Sequence, residues 1–172
     1  MITDAIKEQC VLESADYFLV KHPDRVKDLG EVFTPTPLVL EILEQLPNTV
    51  WDAGKTYLDP TCGNGQFLSA VLIIKMELGH ADALSTIYGL DFMQDNVDEC
   101  RRRLIDIAGD TVANRKIVTH NIRQGDGLQK GAYDFKTKEE EELLFAGKLE
   151  PANKVKKVKI IDTPKELPNN LF

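Results

Sequence analysis

Three aspartates, Asp59, Asp91 and Asp126, each close a short run with strand character, and a glycine turn lies beside the first of them. A carboxylate at a strand end can accept hydrogen bonds from an ammonium or a hydroxyl group. The turn reads Leu58-Asp59-Pro60-Thr61-Cys62-Gly63-Asn64-Gly65-Gln66-Phe67-Leu68. Glycines there let the backbone approach a ligand closely, and the helix that follows offers free N–H groups to a carboxylate or phosphate. This chemistry needs a strand, a tight turn and a helix in that order. The apolar lead Tyr57-Leu58 predicts the strand. Phe67, Leu68, Val71, Leu72 and Met76 recur at helical spacing and predict an amphipathic helix over 66–78. A dinucleotide-binding turn fits less well, because its third glycine position is held by Leu68.

The other two acids need strands of their own. Residues 86–92 predict a second strand ending in Asp91, and Lys116-Ile117-Val118-Thr119-His120 a third, leading through Gly125 to Asp126. In a doubly wound sheet, ligands bind beyond the carboxyl ends of the strands, so acids at those ends face a common site. Leu78-Gly79 predicts a glycine-capped helix end. Residues 95–108 predict a helix with Val97, Cys100, Leu104 and Ile107-Ala108 on its buried stripe; Arg101-Arg102-Arg103 reads as a solvated face.

Upstream, Thr3 predicts the cap of a helix with Ile6, Cys10, Leu12 and Phe18-Leu19 on its apolar stripe, ending near His22-Pro23. Thr36 and Pro37 predict the cap and first turn of a helix over 38–46.

The string DPTCGNGQFL resembles the first motif of the N6-adenine DNA methyltransferases, of the type I and type IIG kind found in restriction-modification. Gly30-Glu31-Val32-Phe33-Thr34-Pro35, about two dozen residues earlier, resembles that family's G-x-x-x-T-P segment. Gly89-x-Asp91 and Gly125-Asp126-Gly127 resemble its second and third motifs. The resemblance spans about residues 29–135. It implies an abbreviated Rossmann-like S-adenosylmethionine-dependent methyltransferase fold of the α/β class with N-terminal helices. It also implies S-adenosylmethionine as cofactor. Asp59, Pro60, Cys62, Gly63 and Gly65 would cradle its methionine part, and Phe33 and Thr34 would close over it. Asp91 would take the ribose hydroxyls, Phe92 would pack on the adenine, and Asp126 would accept from the adenine amine.

The resemblance stops before the chemistry. Family members continue with Asn or Asp, Pro, Pro and an aromatic residue, which orient the target amine and stack on the flipped base. Here Ala132-Tyr133-Asp134-Phe135 starts like the expected strand and then turns into the acidic helical pattern of residues 136–145. No two prolines are adjacent anywhere in the chain. No residue set takes the catalytic role. What remains after Gly127 is too short for four further strands at about 30 residues per crossover unit. The run Lys154-Val155-Lys156-Lys157-Val158-Lys159-Ile160-Ile161-Asp162 reads as a lysine-guarded edge strand.

The 172 residues bound one methyltransferase-like domain: an N-terminal helical cap (1–50), a cofactor-binding α/β core (51–135) and a divergent C-terminal helix and strand (136–172). A formal net charge of −7 argues against a broad basic surface gripping DNA through this chain alone. Three scattered cysteines and three scattered histidines indicate neither a disulfide framework nor a metal site. No apolar run approaches the roughly 20 residues of a membrane span, and the N-terminus lacks the form of a secretory signal, so a cytoplasmic protein is expected. Two functional readings follow. One is an S-adenosylmethionine-binding protein that transfers, or helps transfer, a methyl group to adenine in DNA, as a homodimer or with a second methyltransferase subunit. The alternative is a non-catalytic regulatory or accessory module that binds the same cofactor.

Overall fold

A computed structural model describes residues 2–15 and 20–135. Their framework is a three-stranded parallel sheet, β1 (Tyr57–Asp59), β2 (Ile87–Asp91) and β3 (Ile122–Gln124), in the order β1-β2-β3. Tyr57 pairs with Ile87 and Asp59 with Gly89; Gly89 in turn pairs with Ile122 and Asp91 with Gln124. Parallel strands need crossovers, and helices supply them. Six α-helices are present among the described residues, and none of them is long and apolar enough to cross a membrane. Among the same residues β1 pairs on one side only.

Helix α1 (Asp4–Ser14) starts as expected, with the Thr3 hydroxyl accepting from the Ile6 N–H at 3.3 Å. It stops at Ser14, short of His22. Ile6 and Cys10 are buried, but Leu12 is 70% exposed. The next inward position on that stripe belongs to Glu13, which is drawn in by Arg103. Phe18 and Leu19 lie outside the described residues. At His22-Pro23 a helix begins instead of ending: α2 (Pro23–Leu29) puts Pro23 in its first turn, where the missing N–H is no loss. Helix α3 (Thr36–Glu44) starts at the expected cap residue itself. Pro35 is the cap, and Thr36, already helical, donates its hydroxyl to Ser14 Oγ at 2.6 Å.

Helix α4 (Gln66–Glu77) runs through the middle of the fold, against α1, α3, α5, β1 and β2. It is not amphipathic as expected. Every residue from Leu68 to Lys75 is buried, so the helix is apolar nearly all round, as a central helix must be. Lys75 makes this possible by donating to Lys55 O at 2.8 Å and to the Thr86 hydroxyl, with its amine over the Tyr57 ring. Burial lowers its pKa, the Asp82 charge opposing. Tyr57 stacks on Trp51, with ring centroids 5.4 Å apart.

Helix α5 (Gln94–Ala108) buries Val97, Cys100 and Leu104 as expected, but its arginines are not a solvated face. Arg102 is exposed, Arg101 bonds to Ile122 O at 2.9 and 2.7 Å, and Arg103 is wholly buried. The third strand is also displaced. Residues 116–120 belong to α6 (Val112–Asn121), and β3 begins at Ile122. Thr111 caps α6 by accepting from the Asn114 N–H, and the Asn121 amide donates to Ser85 O and Ile87 O. Capping and tertiary anchoring outweigh the strand preference of Ile117-Val118-Thr119. Residues 131–133 form a turn and not a strand. The expected acidic helix and the lysine-guarded strand lie outside the described residues.

Candidate functional site

Beyond the carboxyl end of β1 the chain makes the glycine turn. The Cys62 N–H donates to Leu90 O at 2.7 Å, which ties the turn to β2, and the Gly65 N–H closes onto Cys62 O at 2.8 Å. Two positions admit only glycine. Gly63 has φ +52°, and a Cβ there would stand 2.9 Å from the Phe33 ring. Gly65 has φ +88°, and a Cβ there would stand 2.7 Å from Cys100 Sγ and 3.3 Å from Cys100 Cα. Gly65 also starts α4, whose free N–H groups therefore open next to the turn.

The two strand-end acids, Asp59 and Asp91, and Asp126 just beyond β3 lie along this side of the sheet. Asp59 accepts from the Thr61 N–H at 3.1 Å. Burial raises its carboxyl pKa, the Thr61 bond opposes that, and the Asp91 charge adds to it. Asp91 accepts from Gly63 N–H at 2.9 Å through Oδ2, and from Met93 N–H at 2.9 Å and Asn96 Nδ2 at 3.0 Å through Oδ1. Asp126 accepts from the Leu128 N–H at 2.9 Å.

Three adjoining cavities run along the carboxyl ends of the strands. The first, about 160 Å³, is lined by Phe33, Thr34, Asp59, Cys62, Gly63 and Gln66, among others. The second, about 390 Å³, shares Phe33 and Gly63 with it and adds Glu31, Asp91, Phe92 and Asn96. The third, about 610 Å³, shares Phe92 with the second and reaches Asp126 and Gln129. The two larger ones each fall in the size range of small-molecule and cofactor sites. The structure thus brings Phe33, Thr34, Asp59, Cys62, Gly63, Asp91, Phe92 and Asp126 to one groove. Gly65 supports the turn from behind. Pro60 faces another hollow, with Leu43, Leu58 and Phe67 beside β1.

Residues that sequence reasoning missed hold this groove in shape. Arg103 donates to Asn64 O at 3.2 Å in the middle of the turn and to Ser69 Oγ at 3.0 Å, with Glu13 as its counter-ion. Asn96, 1% exposed, links Asp91 to Glu31. Lys21 sits 5.8 Å from the Phe33 ring centroid and pairs with Glu99 at 2.5 Å. Only Glu31 had a signal in the sequence, its place inside the Gly30–Pro35 segment.

Residues 11–144 match the family model described as N-6 DNA Methylase. The match covers most of the chain, and the chain belongs to the N-6 DNA methylase family. A mixed α/β arrangement with a small parallel sheet agrees with a methyltransferase-like fold. No curated protein and no solved structure matches the chain.

Proposed function

We propose that this chain is the cofactor-binding part of an adenine-N6 DNA methyltransferase and binds S-adenosylmethionine across the carboxyl ends of β1, β2 and β3. The observation that carries the reading is the groove itself. A turn held open by Gly63 and Gly65 meets two strand-end carboxylates, Asp59 and Asp91, and Asp126 just beyond β3, along adjoining cavities. The donor set fits the cofactor. The free N–H groups at the start of α4 and the Thr34 hydroxyl suit a carboxylate, and the half-buried Asp59 suits an ammonium group. Asp91 suits the ribose, Phe92 offers a face to the adenine, and Asp126 accepts from its amine. The bound cofactor would supply a methyl group made electrophilic by its sulfonium.

On this reading the fold is a Rossmann-like methyltransferase core (51–135) under an N-terminal helical cap (1–50). Calorimetry with S-adenosylhomocysteine tests it, and absence of binding by the native chain would sink it.

A second reading, a non-catalytic accessory module, is favoured by one observation: without any Pro-Pro pair the chain has no group of the family's kind to orient a target adenine. A filter assay with methyl-labelled S-adenosylmethionine and an adenine-containing duplex separates the two. Negligible incorporation by this chain alone, restored by a second methyltransferase subunit, supports the first reading. Cofactor binding with no transfer in either setting supports the second.

A further inference from the structure

Asp91 is nearly saturated. A carboxylate offers about four lone-pair sites, and the N–H groups of Gly63, Met93 and Asn96 occupy three of them. A ribose presents two neighbouring hydroxyl donors. Asp91 can accept one as it stands, and accepting both would mean giving up the Gly63 N–H that ties it to the glycine turn.

A second carboxylate lines the same cavity of about 390 Å³: Glu31, whose side chain is 11% exposed. Its Oε2 accepts from Arg25 Nη2 at 2.5 Å and from Asn96 Nδ2 at 2.9 Å. Its Oε1 is buried and has no hydrogen-bond partner. Asn96 thus donates one amide group to both carboxylates and holds them side by side, 3.0 Å from Asp91 Oδ1 and 2.9 Å from Glu31 Oε2. An acceptor left unmatched in a buried site is destabilising until a donor reaches it.

We propose that Glu31 is a ligand-binding residue: it accepts one hydroxyl of the cofactor's ribose while Asp91 accepts the other, and Asn96 sets the spacing between them. This rests on the cavity taking a nucleoside cofactor. Arg25 supplies the charge opposite Glu31 and keeps a second partner in Asp95 at 2.6 Å, so the isosteric Glu31→Gln leaves the arginine paired. With the amide oxygen retained toward Arg25 and Asn96, the variant presents an N–H₂ group where Oε1 stood, and that group cannot accept a hydroxyl.

The test is calorimetry on the native chain and on Glu31→Gln with S-adenosylhomocysteine, its 2′-deoxy analogue and its 3′-deoxy analogue. On the native chain each analogue should bind at least about tenfold more weakly than the parent, since each carboxylate loses its own donor. On Glu31→Gln the parent should weaken by a similar factor. One of the two analogues should then bind no more weakly than it does to the native chain. If either hydroxyl can be removed from the ligand without effect on the native chain, the two carboxylates do not take one hydroxyl each and the proposal fails; this comparison needs no variant to fold. Equal weakening of all three ligands by Glu31→Gln would make the residue a structural latch and also overturn it. No binding of the parent by the native chain would instead be the failure of the cofactor reading itself.

Discussion

The Arg103 guanidinium and the Glu13 carboxylate close on each other through two bonds, 3.0 Å and 2.7 Å long, behind the glycine turn. Arg103 is fully buried, and its remaining donors reach Asn64 O and Ser69 Oγ. One pair therefore joins α1 to α5 and fixes the back of the turn whose front faces the groove. Removing one partner of such a pair leaves an uncompensated buried charge, which is far more destabilising than the intact pair is stabilising. Glu13→Ala should lower stability by about 3 kcal/mol, toward the lower end of that class because the acceptors on Asn64 and Ser69 remain. Urea unfolding followed by the fluorescence of Trp51 would measure it, and a loss below about 1 kcal/mol would mean the charge is reached by water.

Gly65 and Gly79 both have a left-handed backbone, yet they differ in surroundings. A Cβ at Gly65 collides with Cys100, whereas one at Gly79 meets nothing within 4 Å. Gly79→Ala should cost only the backbone preference, about 1 kcal/mol. Gly65→Ala adds overpacking against a buried helix and should cost about 3 kcal/mol or more. It should also abolish S-adenosylhomocysteine binding, because the turn must move. Equal losses at the two sites in parallel thermal scans would contradict the packing argument.

Burial raises the Asp59 pKa above 3.8. The folded chain therefore holds a proton that the unfolded chain has already released, and stability falls as pH climbs from 3.8 to the raised value. Above that value the penalty is constant. Asp59→Asn keeps an oxygen for the Thr61 N–H and removes the penalty. It should raise the urea midpoint at pH 7, and the gain should vanish below pH 3.8. The same change should weaken binding of the cofactor's ammonium group. A variant less stable than the native chain at pH 7 would show that the Asp59 charge is satisfied in the fold.

Asp91 carries two duties, toward the ligand and toward Gly63 in the turn. Asp91→Ala should reduce S-adenosylhomocysteine affinity by at least about tenfold, the scale of one charged hydrogen bond. Calorimetry that finds unchanged affinity removes Asp91 from the site.

Local chemistry was enough for one part of this protein. The β1–turn–α4 unit is legible because its requirements are local: a strand-end acid, positive φ at Gly63 and Gly65, and a helix directly after, although its burial all round was not. The same holds for β2 with Asp91, for the Thr3 cap and for the buried stripe of α5. The motif strings carried the family membership.

Tertiary structure decided what depends on partners distant along the chain. Residues 116–120 have strand-forming side chains, but Asn121 anchored on Ser85 O and Ile87 O, with Thr111 capping, makes them helix. Arg101 and Arg103 sit in a basic run, yet one reaches Ile122 O and the other reaches Glu13, ninety residues away. Glu31 and Asn96, sixty-five residues apart, meet at Asp91 only once α2 and α5 are packed. Such contacts have no signature in local spacing, because a polar side chain is worth burying only where the fold delivers its counterpart.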